Sequence, residues 1–567
     1  MKKLSEKYTN SDSYSSFYFD ESRHFEEGIT RWNYFPNQKH SASELPSIIS
    51  TSRFTPEVAE KISKLKSRKG GYDLVEYKST RYNNVPRFLG LIHPFSYSRI
   101  YKCLSENYNE IISGIESDNS AVKVDQHRDG RVLIMNYEKH EEKIISSIKD
   151  SFSKKIRVKT DISNCFGSIY THSFEWAVRG FEESKKALAD RNDAHWSKDL
   201  DECLRHARRN ETVGLPIGPA ASSIAVELIL AAVDKKLKDK YLFNRYVDDY
   251  TAFFNSHDEA QNFLRELGDE LGKYRLQINL NKTHVEELPD PSQEKWVSDI
   301  MSAFPVKNNE ELGSFTTVEA FSFLDNSVRL NNITPDGSVI KYAVASLVSK
   351  LNGSVANSVF EYVLNLCWHY PILMPYLEKI DVDEYFDYSS VHEKMKSVVS
   401  QHALHRRSDG MCWGIYYLYI LQSAIDDELI DKVIKTGDCV SIAMLSKFEN
   451  ALPKLVSYAS EILPMSDFGK DRNWFLLYQL FYIDAIKNPY QNDDAKCFEI
   501  LKDLKVDFFK NPEEKSDAEK LCDELSNPFI SDEAIEKLNK WLKNMKNGNN
   551  VPMENVDPKS RYPHLFN

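Results

Sequence analysis

The stretch that decides the fold is "NRYVDDYTAFF", residues 244–254, in which Asp248 and Asp249 separate two short aromatic segments. Aromatic and β-branched residues on both sides of a short polar pair are typical of a β-hairpin. Adjacent carboxylates repel each other, and a bound cation relieves such repulsion. The stretch therefore predicts a hairpin whose turn presents two acids to a divalent metal ion.

A third carboxylate lies upstream, where "IRVKTDISNCF" (156–166) places Asp161 at the end of an apolar strand. A two-metal phosphoryl-transfer site needs carboxylates from two strands, because they hold cations about 3.5–4 Å apart. Mg²⁺ prefers such oxygen ligands. Taken alone, Asp161 is equally explained as a helix N-cap and Asp248–Asp249 as an ordinary turn. Their occurrence together favours the metal site, with Asp249 assisting Asp161 and Asp248.

The composition limits the class of protein. At 567 residues the chain exceeds one ordinary core, and 41% hydrophobic residues exclude a disordered protein. Eight scattered cysteines with no C-x-x-C pair fit a reducing cytoplasm rather than a disulfide or zinc framework. The N-terminus lacks the apolar run of a signal peptide, and the longest apolar stretch (411–421) is shorter than the roughly 20 residues of a membrane span. We expect a cytoplasmic protein with no membrane partner.

The charge is unevenly distributed. The net charge of −12 argues against a protein that coats nucleic acid non-specifically. Residues 51–100 nevertheless hold ten basic and four acidic residues, whereas residues 331–567 hold 26 basic and 35 acidic residues. We therefore expect any phosphate-binding surface in the N-terminal half.

The sequence pattern changes near residue 335. Before it, short β-branched or aromatic segments alternate with helical ones, as in 87–94, 131–137, 154–162, 258–274 and 276–283, which predicts an α+β domain. After it, helical segments follow one another over short connectors, which predicts a degenerate helix-pair solenoid. The predicted parts are an N-terminal extension (1–60), the α+β domain (61–330), an α-helical repeat domain (331–545) and a C-terminal tail (546–567).

The order of elements from about 85 to 330 resembles a reverse transcriptase. Four blocks carry the resemblance: "DISNCF" (161–166), "GLPIGPAASS" (214–223), "YVDD" (246–249) and "INLNKT" (278–283). The resemblance implies the fingers and palm of a right-hand polymerase. It also implies two Mg²⁺ ions, with Mn²⁺ as a substitute, bound by Asp161, the Ile162 carbonyl, Asp248 and Asp249.

The same resemblance assigns roles around the incoming nucleotide. Phe166 matches the residue that excludes a 2′-hydroxyl and so selects deoxynucleotides. Gly218 and Pro219 belong to the block that supports the template and the incoming base. Lys282 matches the residue that protonates the leaving pyrophosphate or neutralises its charge, although a lone lysine is usually a surface residue.

Two departures concern the template–primer duplex. Ile217 stands where reverse transcriptases have Gln, and Pro219–Ala220 where they have Ser-Pro. Asp325, in "FSFLDN" (321–326) where the primer grip is expected, replaces the usual Gly. These changes favour weak template dependence and leave the metal chemistry untouched.

The blocks most resemble the bacterial abortive-infection and defence-associated reverse transcriptases. That group implies an all-α, HEAT-like repeat domain in place of a thumb, and protection against phages. It implies a homo-oligomer that adds dNTPs without a template, from a protein hydroxyl, to give covalently attached single-stranded DNA. Three alternatives stay open: an RNA-templated enzyme with a bound noncoding RNA, a non-catalytic helical scaffold, and an RNA polymerase on the same palm.

Other side chains have a functional and a structural interpretation. Arg81 and Arg87, in the basic segment, are candidates for contacting the incoming triphosphate, and solvated arginines are as plausible. Candidate attachment points for a first nucleotide are Tyr8, Tyr14, Tyr18 and Tyr562. We expect ordinary packing or hydrogen bonds for His172 and His195, and a core position for the aromatic run Trp413, Tyr416, Tyr417 and Tyr419 rather than base stacking.

Phe166→Ala should admit ribonucleotides, because the smaller side chain leaves room for the 2′-hydroxyl. The efficiency of rNTP relative to dNTP incorporation, measured by single-nucleotide addition, should rise about tenfold or more. A wild-type chain that already uses rNTPs, with no change in the variant, would instead identify an RNA polymerase.

Overall fold

The computed structural model describes residues 21–36, 43–81, 85–122, 124, 131–132, 140–187, 194–305, 315–334, 338–348, 350–351, 353–383 and 385–510. Within these ranges, no helix is both long enough and apolar enough to cross a membrane.

The described residues between 21 and 63 form the N-terminal segment, and they are packed into the core. Helix α1 (Glu21–Glu27) continues into a π-helical turn (Gly28–Trp32), and α2 (Pro56–Ser63) follows. The side chains of Phe25, Ile29 and Trp32 are fully or almost fully buried. The hydroxyl of Tyr97 donates to the Ile29 carbonyl, so the segment is fixed against the helix that follows the first hairpin. The described part of the predicted extension is therefore packed structure.

The fingers contain an antiparallel hairpin of β1 (Leu74–Thr80) and β2 (Pro86–Ile92), followed by α3 (Pro94–Glu106) and α4 (Tyr108–Ile115). Pro94 suits the first helical position of α3 because its missing N–H would have no partner there. The His93 side chain accepts a hydrogen bond from the Phe95 amide and caps the same helix.

The palm is a four-stranded antiparallel sheet in the order β4-β5-β3-β6. Its elements in chain order are α5 (His140–Ser151), β3 (Ile156–Asp161), α6 (Cys165–Ser168), α7 (Ser173–Arg179), α8 (Phe181–Ala187), α9 (Trp196–His206), α10 (Ala220–Leu237), β4 (Phe243–Tyr246), β5 (Asp249–Phe254), α11 (His257–Lys273) and β6 (His284–Glu287). Helix α11 packs on β3 and β5 through its apolar face, with Phe263, Leu267 and Leu271 buried.

The rest of the described chain is helical. It comprises α12 (Lys295–Ala303), α13 (Thr317–Ile333), α14 (Ser338–Val348), α15 (Gly353–Cys367), α16 (Met374–Leu377), α17 (Ser389–Leu404), α18 (Ser408–Ile420), α19 (Asp427–Ile434), α20 (Cys439–Met444), α21 (Leu452–Ile462), α22 (Asp467–Asp471), α23 (Trp474–Tyr482) and α24 (Asn492–Asp503). Short connectors join these helices, as predicted. The regular helix-pair repeat and the four predicted boundaries stay predictions.

The helical region packs directly on the fingers hairpin. Asp409 at the start of α18 accepts hydrogen bonds from the Thr80 amide at 2.7 Å and the Thr80 hydroxyl at 2.8 Å. The Trp474 indole donates to the Leu91 carbonyl at 3.1 Å. Apolar side chains from the N-terminal segment, palm and helical region form one continuous buried cluster. The fingers therefore share their core with the helices.

One predicted strand is wrong. Residues 276–283 were expected to form a strand, but only Ile278 pairs, in an isolated bridge with Ile162, and a 3₁₀ turn (Leu280–Lys282) follows. The strand begins later, at His284. Asn279 caps the turn through its side chain, because Asn competes well for nearby amides and so favours turns. Residues 133–137 of a second predicted strand lie outside the described residues.

Asp409→Ala should destabilise the fold, because the buried amides of Thr80 and Gly410 lose their acceptor. We expect a loss of about 1–3 kcal/mol, seen as a lower urea midpoint by circular dichroism. Glu76→Ala, at an exposed position of β1, is the control and should change little. Equal midpoints for Asp409→Ala and the wild type would show that this contact does not brace the fingers.

Candidate functional site

The predicted hairpin is confirmed, and its turn consists of Val247 and Asp248. Tyr246 at the end of β4 pairs with Asp249 at the start of β5. Val247 has a φ of 56°, in the left-handed region that a β-branched residue adopts only at a cost in energy. The turn is therefore strained, and its neighbours must hold it in place.

The pairing of β3 with β5 brings the third acid to the turn. Asp161, the last residue of β3, is the cross-strand partner of Asp249. The next residue, Ile162, donates its amide hydrogen to the Asp248 carbonyl at 3.1 Å. Asp161 is 5% exposed, whereas Asp249 is exposed. Three acidic residues, one ending β3, one in the turn and one beginning β5, thus lie at the same end of the palm sheet.

Lys282 approaches the acids from the 3₁₀ turn. Its ammonium forms an ion pair with Asp161 Oδ2. The Asn279 amide donates to the Asp161 carbonyl at 2.7 Å, which fixes this turn beside the end of β3. The hydrogen bond to Asp161 raises the pKa of Lys282, and the nearby charges of Asp161, Asp249 and Asp248 act in the same direction. Lys282 is therefore held protonated.

Burial and the neighbouring acids disfavour the ionised form of Asp248. Burial, and then the charges of Asp249 and Asp161, raise its pKa from 3.8 to about 6. A raised carboxyl pKa means that the folded chain disfavours the ionised form. The cost falls if positive charge is added at the turn.

The acids suit a hard divalent cation. Asp161 Oδ1 is buried and has no hydrogen-bond partner among the described residues, which leaves one carboxylate oxygen available for a ligand. The donor set consists of oxygen atoms, as Mg²⁺ requires. Within the described ranges, no three His, Cys, Asp or Glu side chains already form a cluster that could hold a metal. The residues fit the ion in chemistry and charge, and ligation requires the carboxylates to converge further.

The segment 214–219 lies against the same end of the palm. The Leu215 amide donates to the Phe166 carbonyl at 2.8 Å, and the Gly90 amide to the Ile217 carbonyl at 3.0 Å. This segment therefore joins residues 161–166 to the fingers hairpin. Phe166 itself is half-buried against the core.

Gly218 packs against the N-terminal segment. Its φ of 123° is unfavourable for other residues, and a Cβ there would lie 2.5 Å from Pro36 Cγ. The Asn33 carbonyl accepts the Ala220 amide at 2.9 Å. The N-terminal segment therefore forms one wall beside the block expected to support the incoming base.

The comparisons with known proteins bear on this arrangement. Residues 95–323 match the family model described as reverse transcriptase (RNA-dependent DNA polymerase). The matched range contains Asp161, Asp248, Asp249 and Lys282, and it omits most of the helical region. A search of curated protein sequences finds no match.

The chain contains a reverse transcriptase domain. It is therefore a nucleotidyltransferase of the RNA-directed DNA polymerase type, and such domains generally use divalent metal ions. The roles assigned to individual residues stay predictions.

Solved structures similar to the chain include two yeast telomerases. Apo telomerase from Candida tropicalis has 10% sequence identity and a TM-score of 0.30, over 70% of this chain and 67% of that chain. Telomerase from Candida albicans, in complex with a fragment of telomeric RNA, has 14% identity and a TM-score of 0.26, over 70% and 65%. The chain spans about two thirds of the length of these structures.

Other predicted residues belong to the fingers hairpin, the helical region or the ends of the chain. Arg81 and Arg87 are at the loop end of the β1–β2 hairpin, outside the matched range; Arg81 is exposed and Arg87 half-buried. Asp325 lies within α13 and accepts a hydrogen bond from Tyr362. Tyr8, Tyr14, Tyr18 and Tyr562 lie outside the described residues.

Two structural expectations are confirmed. His172 contacts Asp201 at 2.8 Å, and His195 caps α9 through Ser197, so both make ordinary polar contacts. In the aromatic run, Trp413, Tyr416 and Tyr417 are fully buried, and Tyr419 is half-buried against the same core.

A buried ionic group beneath the turn was not predicted from the sequence. Arg245, just before "YVDD", pairs with Glu227 and Asp234 of α10. The available signal was two acids seven residues apart on an otherwise apolar helix, because such acids are buried only with partners.

Asp248→Asn should raise the thermal midpoint of the metal-free chain in EDTA at neutral pH. Since the folded pKa of about 6 exceeds the ordinary 3.8, the folded state loses stability as pH rises between these values. The asparagine variant lacks this penalty. The difference in midpoint from the wild type, measured by differential scanning fluorimetry, should therefore close as the pH falls towards about 4.

Asp299→Asn, at an exposed position of α12, is the matched control and should show no pH-dependent difference. An Asp248→Asn midpoint at or below that of the wild type at neutral pH would show that the three acids do not repel as described.

Proposed function

We propose that this chain is an antiphage-defence DNA polymerase that adds deoxynucleotides by two-metal catalysis. The observation that carries the catalytic part is the cross-strand placement of Asp161 beside Asp249 and the Asp248 turn. Asp161 Oδ1 is buried there and has no hydrogen-bond partner in the part of the chain that the structure describes. Three acids retained at a mutual electrostatic cost argue for a cation-dependent reaction, since a purely structural turn has no need of them.

Asp161, Asp248 and Asp249 would hold two Mg²⁺ ions, or Mn²⁺ in their place, with the Ile162 carbonyl as a further candidate ligand. When bound, such ions activate an attacking hydroxyl and offset the charge on the phosphate. The hydroxyl oxygen would form a bond to the α-phosphorus of a dNTP and release its proton to solvent. The bond from that phosphorus to pyrophosphate would break, and its electron pair would leave with the pyrophosphate oxygen. The acids thus fix where the triphosphate and the hydroxyl meet.

Lys282 supplies charge and a proton on the leaving-group side of this proposal. Its side chain is 64% exposed, so it is free to exchange Asp161 for a phosphate oxygen. Its ammonium can then offer both positive charge and a proton to the leaving pyrophosphate. Phe166 would exclude the 2′-hydroxyl, and Gly218 and Pro219 would support the incoming base. Arg81 and Arg87 are candidates for the triphosphate.

For template use, we propose template-independent synthesis primed by a protein hydroxyl, giving covalently attached single-stranded DNA. Ile217 and Asp325 support it, because both replace residues expected to handle a template–primer duplex. The alternative is RNA-templated synthesis on a bound noncoding RNA, which the family description RNA-dependent DNA polymerase favours. The likeness to bacterial defence enzymes supports the antiphage role, the helical-repeat architecture and a homo-oligomer.

The deciding experiment incubates the purified chain with Mg²⁺ and labelled dNTPs, with no added nucleic acid, beside Asp248→Asn. Label that stays on the protein band of a denaturing gel, is removed by nuclease and protease, and is absent in the variant would support protein-primed synthesis. Treatment with RNase beforehand separates the two template hypotheses, because only RNA-templated synthesis should be lost.

Label in the Asp248→Asn variant equal to that of the wild type would overturn the proposed catalytic role. Phage protection that survives this substitution in cells would support the alternative that the chain is a non-catalytic helical scaffold.

A further inference from the structure

A buried ionic group lies directly beneath the acid turn. The side chain of Arg245 on β4 is 0% exposed, and its guanidinium contacts Glu227 and Asp234 of α10. Two of its N–H groups reach the Glu227 carboxylate at 3.0 and 2.9 Å, and Nε reaches Asp234 Oδ2 at 2.9 Å. This is the bidentate geometry for which a planar guanidinium is suited and an ammonium is not.

The same guanidinium also holds the turn. Arg245 Nη1 donates to the Val247 carbonyl at 2.9 Å. That carbonyl belongs to the peptide group that joins the strained Val247 to Asp248, so the hydrogen bond fixes the plane from which the Asp248 side chain projects. This hydrogen bond helps to hold Val247 at its unfavourable φ of 56°.

The surroundings hold Arg245 on every side. Its amide donates to the Asn119 carbonyl at 2.7 Å, and its carbonyl accepts the Ala121 amide at 2.8 Å. Hydroxyl groups donate further hydrogen bonds to both carboxylates. The Ser120 hydroxyl reaches Glu227 at 3.3 Å. The hydroxyls of Ser117 and Tyr250 reach Asp234 at 2.8 and 3.2 Å. Burial would lower the pKa of Arg245, but Glu227 and Asp234 raise it well above its ordinary value.

We infer that Arg245 is a positioning residue for catalysis: its guanidinium, fixed by Glu227 and Asp234, orients the Val247–Asp248 turn for metal binding. This inference rests on the proposed function. The inference also accounts for the network itself. Burying two acids and one arginine has a desolvation penalty that can exceed their mutual attraction, so such a group is a weak source of stability.

Arg245→Lys tests the inference with the charge retained. The ammonium is too compact to reach both carboxylates and the Val247 carbonyl together. A displaced turn should lower kcat for dNTP incorporation by about ten- to a hundredfold, because misplacement by about 1 Å has effects of this size. KM for the dNTP should stay within about twofold, since the triphosphate contacts are untouched.

Arg157→Lys is the matched control. Arg157 on β3 is 3% exposed, and it too contacts two carboxylates, Glu286 and Asp290, and one backbone carbonyl, that of Pro291 at 2.9 Å. It lies at the end of the palm sheet away from the turn. Its substitution should lower the thermal midpoint as Arg245→Lys does, and leave kcat within about twofold of the wild type.

A second readout is independent of turnover. Mn²⁺ binding to each full-length variant, followed by the electron paramagnetic resonance signal of the free ion, should weaken in Arg245→Lys and Asp248→Asn. It should be unchanged in Arg157→Lys. If Arg245→Lys does not fold, Glu227→Gln replaces one of the two acceptors and should give a smaller loss of Mn²⁺ affinity and kcat.

Wild-type kcat and Mn²⁺ affinity in Arg245→Lys, or in Glu227→Gln where that variant is used, would overturn the inference. An equal loss in Arg157→Lys would also do so, since it would show general damage to the sheet. A wild-type chain that incorporates no dNTP would sink the proposed function, and the Mn²⁺ measurements would still decide whether Arg245 orients the acids.

Discussion

The antiparallel pairing of β3 with β5 is the constraint on which the rest of the site depends. It places Asp161 opposite Asp249 and brings both beside Asp248, although the two segments are far apart in sequence. Three acids at one end of a sheet repel one another, and neighbouring side chains stabilise the arrangement. Lys282 adds positive charge beside the acids, and Arg245 holds the turn through its hydrogen bond to the Val247 carbonyl. The architecture around the palm can be understood as support for this one unfavourable juxtaposition.

The two cations differ in how they are held. Lys282 is 64% exposed and has a single carboxylate partner among the described residues, so its ion pair is weak and exchangeable. Arg245 is fully buried, with two carboxylates and a carbonyl fixing its orientation. An exposed ammonium suits a partner that arrives and leaves during a reaction. A buried guanidinium suits geometry that must not change.

The helical region and the polymerase fold are physically coupled. A two-stranded hairpin such as β1–β2 is only marginally stable alone. Here Asp409 and Trp474 of the helical region bond its backbone, and the apolar core runs without a break between them. Near the end of the described chain, the Phe508 carbonyl accepts the Ser50 amide at 3.0 Å, so the helices also close on the N-terminal segment. Removing the helices would therefore destabilise the fingers hairpin.

The sequence by itself determined the acid-bearing hairpin, the strand that carries Asp161 and the helical character of the C-terminal part, although the last described strand ends at Glu287 and not near residue 335. These are local patterns, because alternation, helical periodicity and turn residues act within a few positions. Only the tertiary structure decided the ion pair of Lys282 with Asp161, the contact of Pro36 with Gly218, and the pairing of Arg245 with Glu227 and Asp234. Each of these depends on what packs against the residue from a distant part of the chain, and charge or polarity alone does not specify that partner.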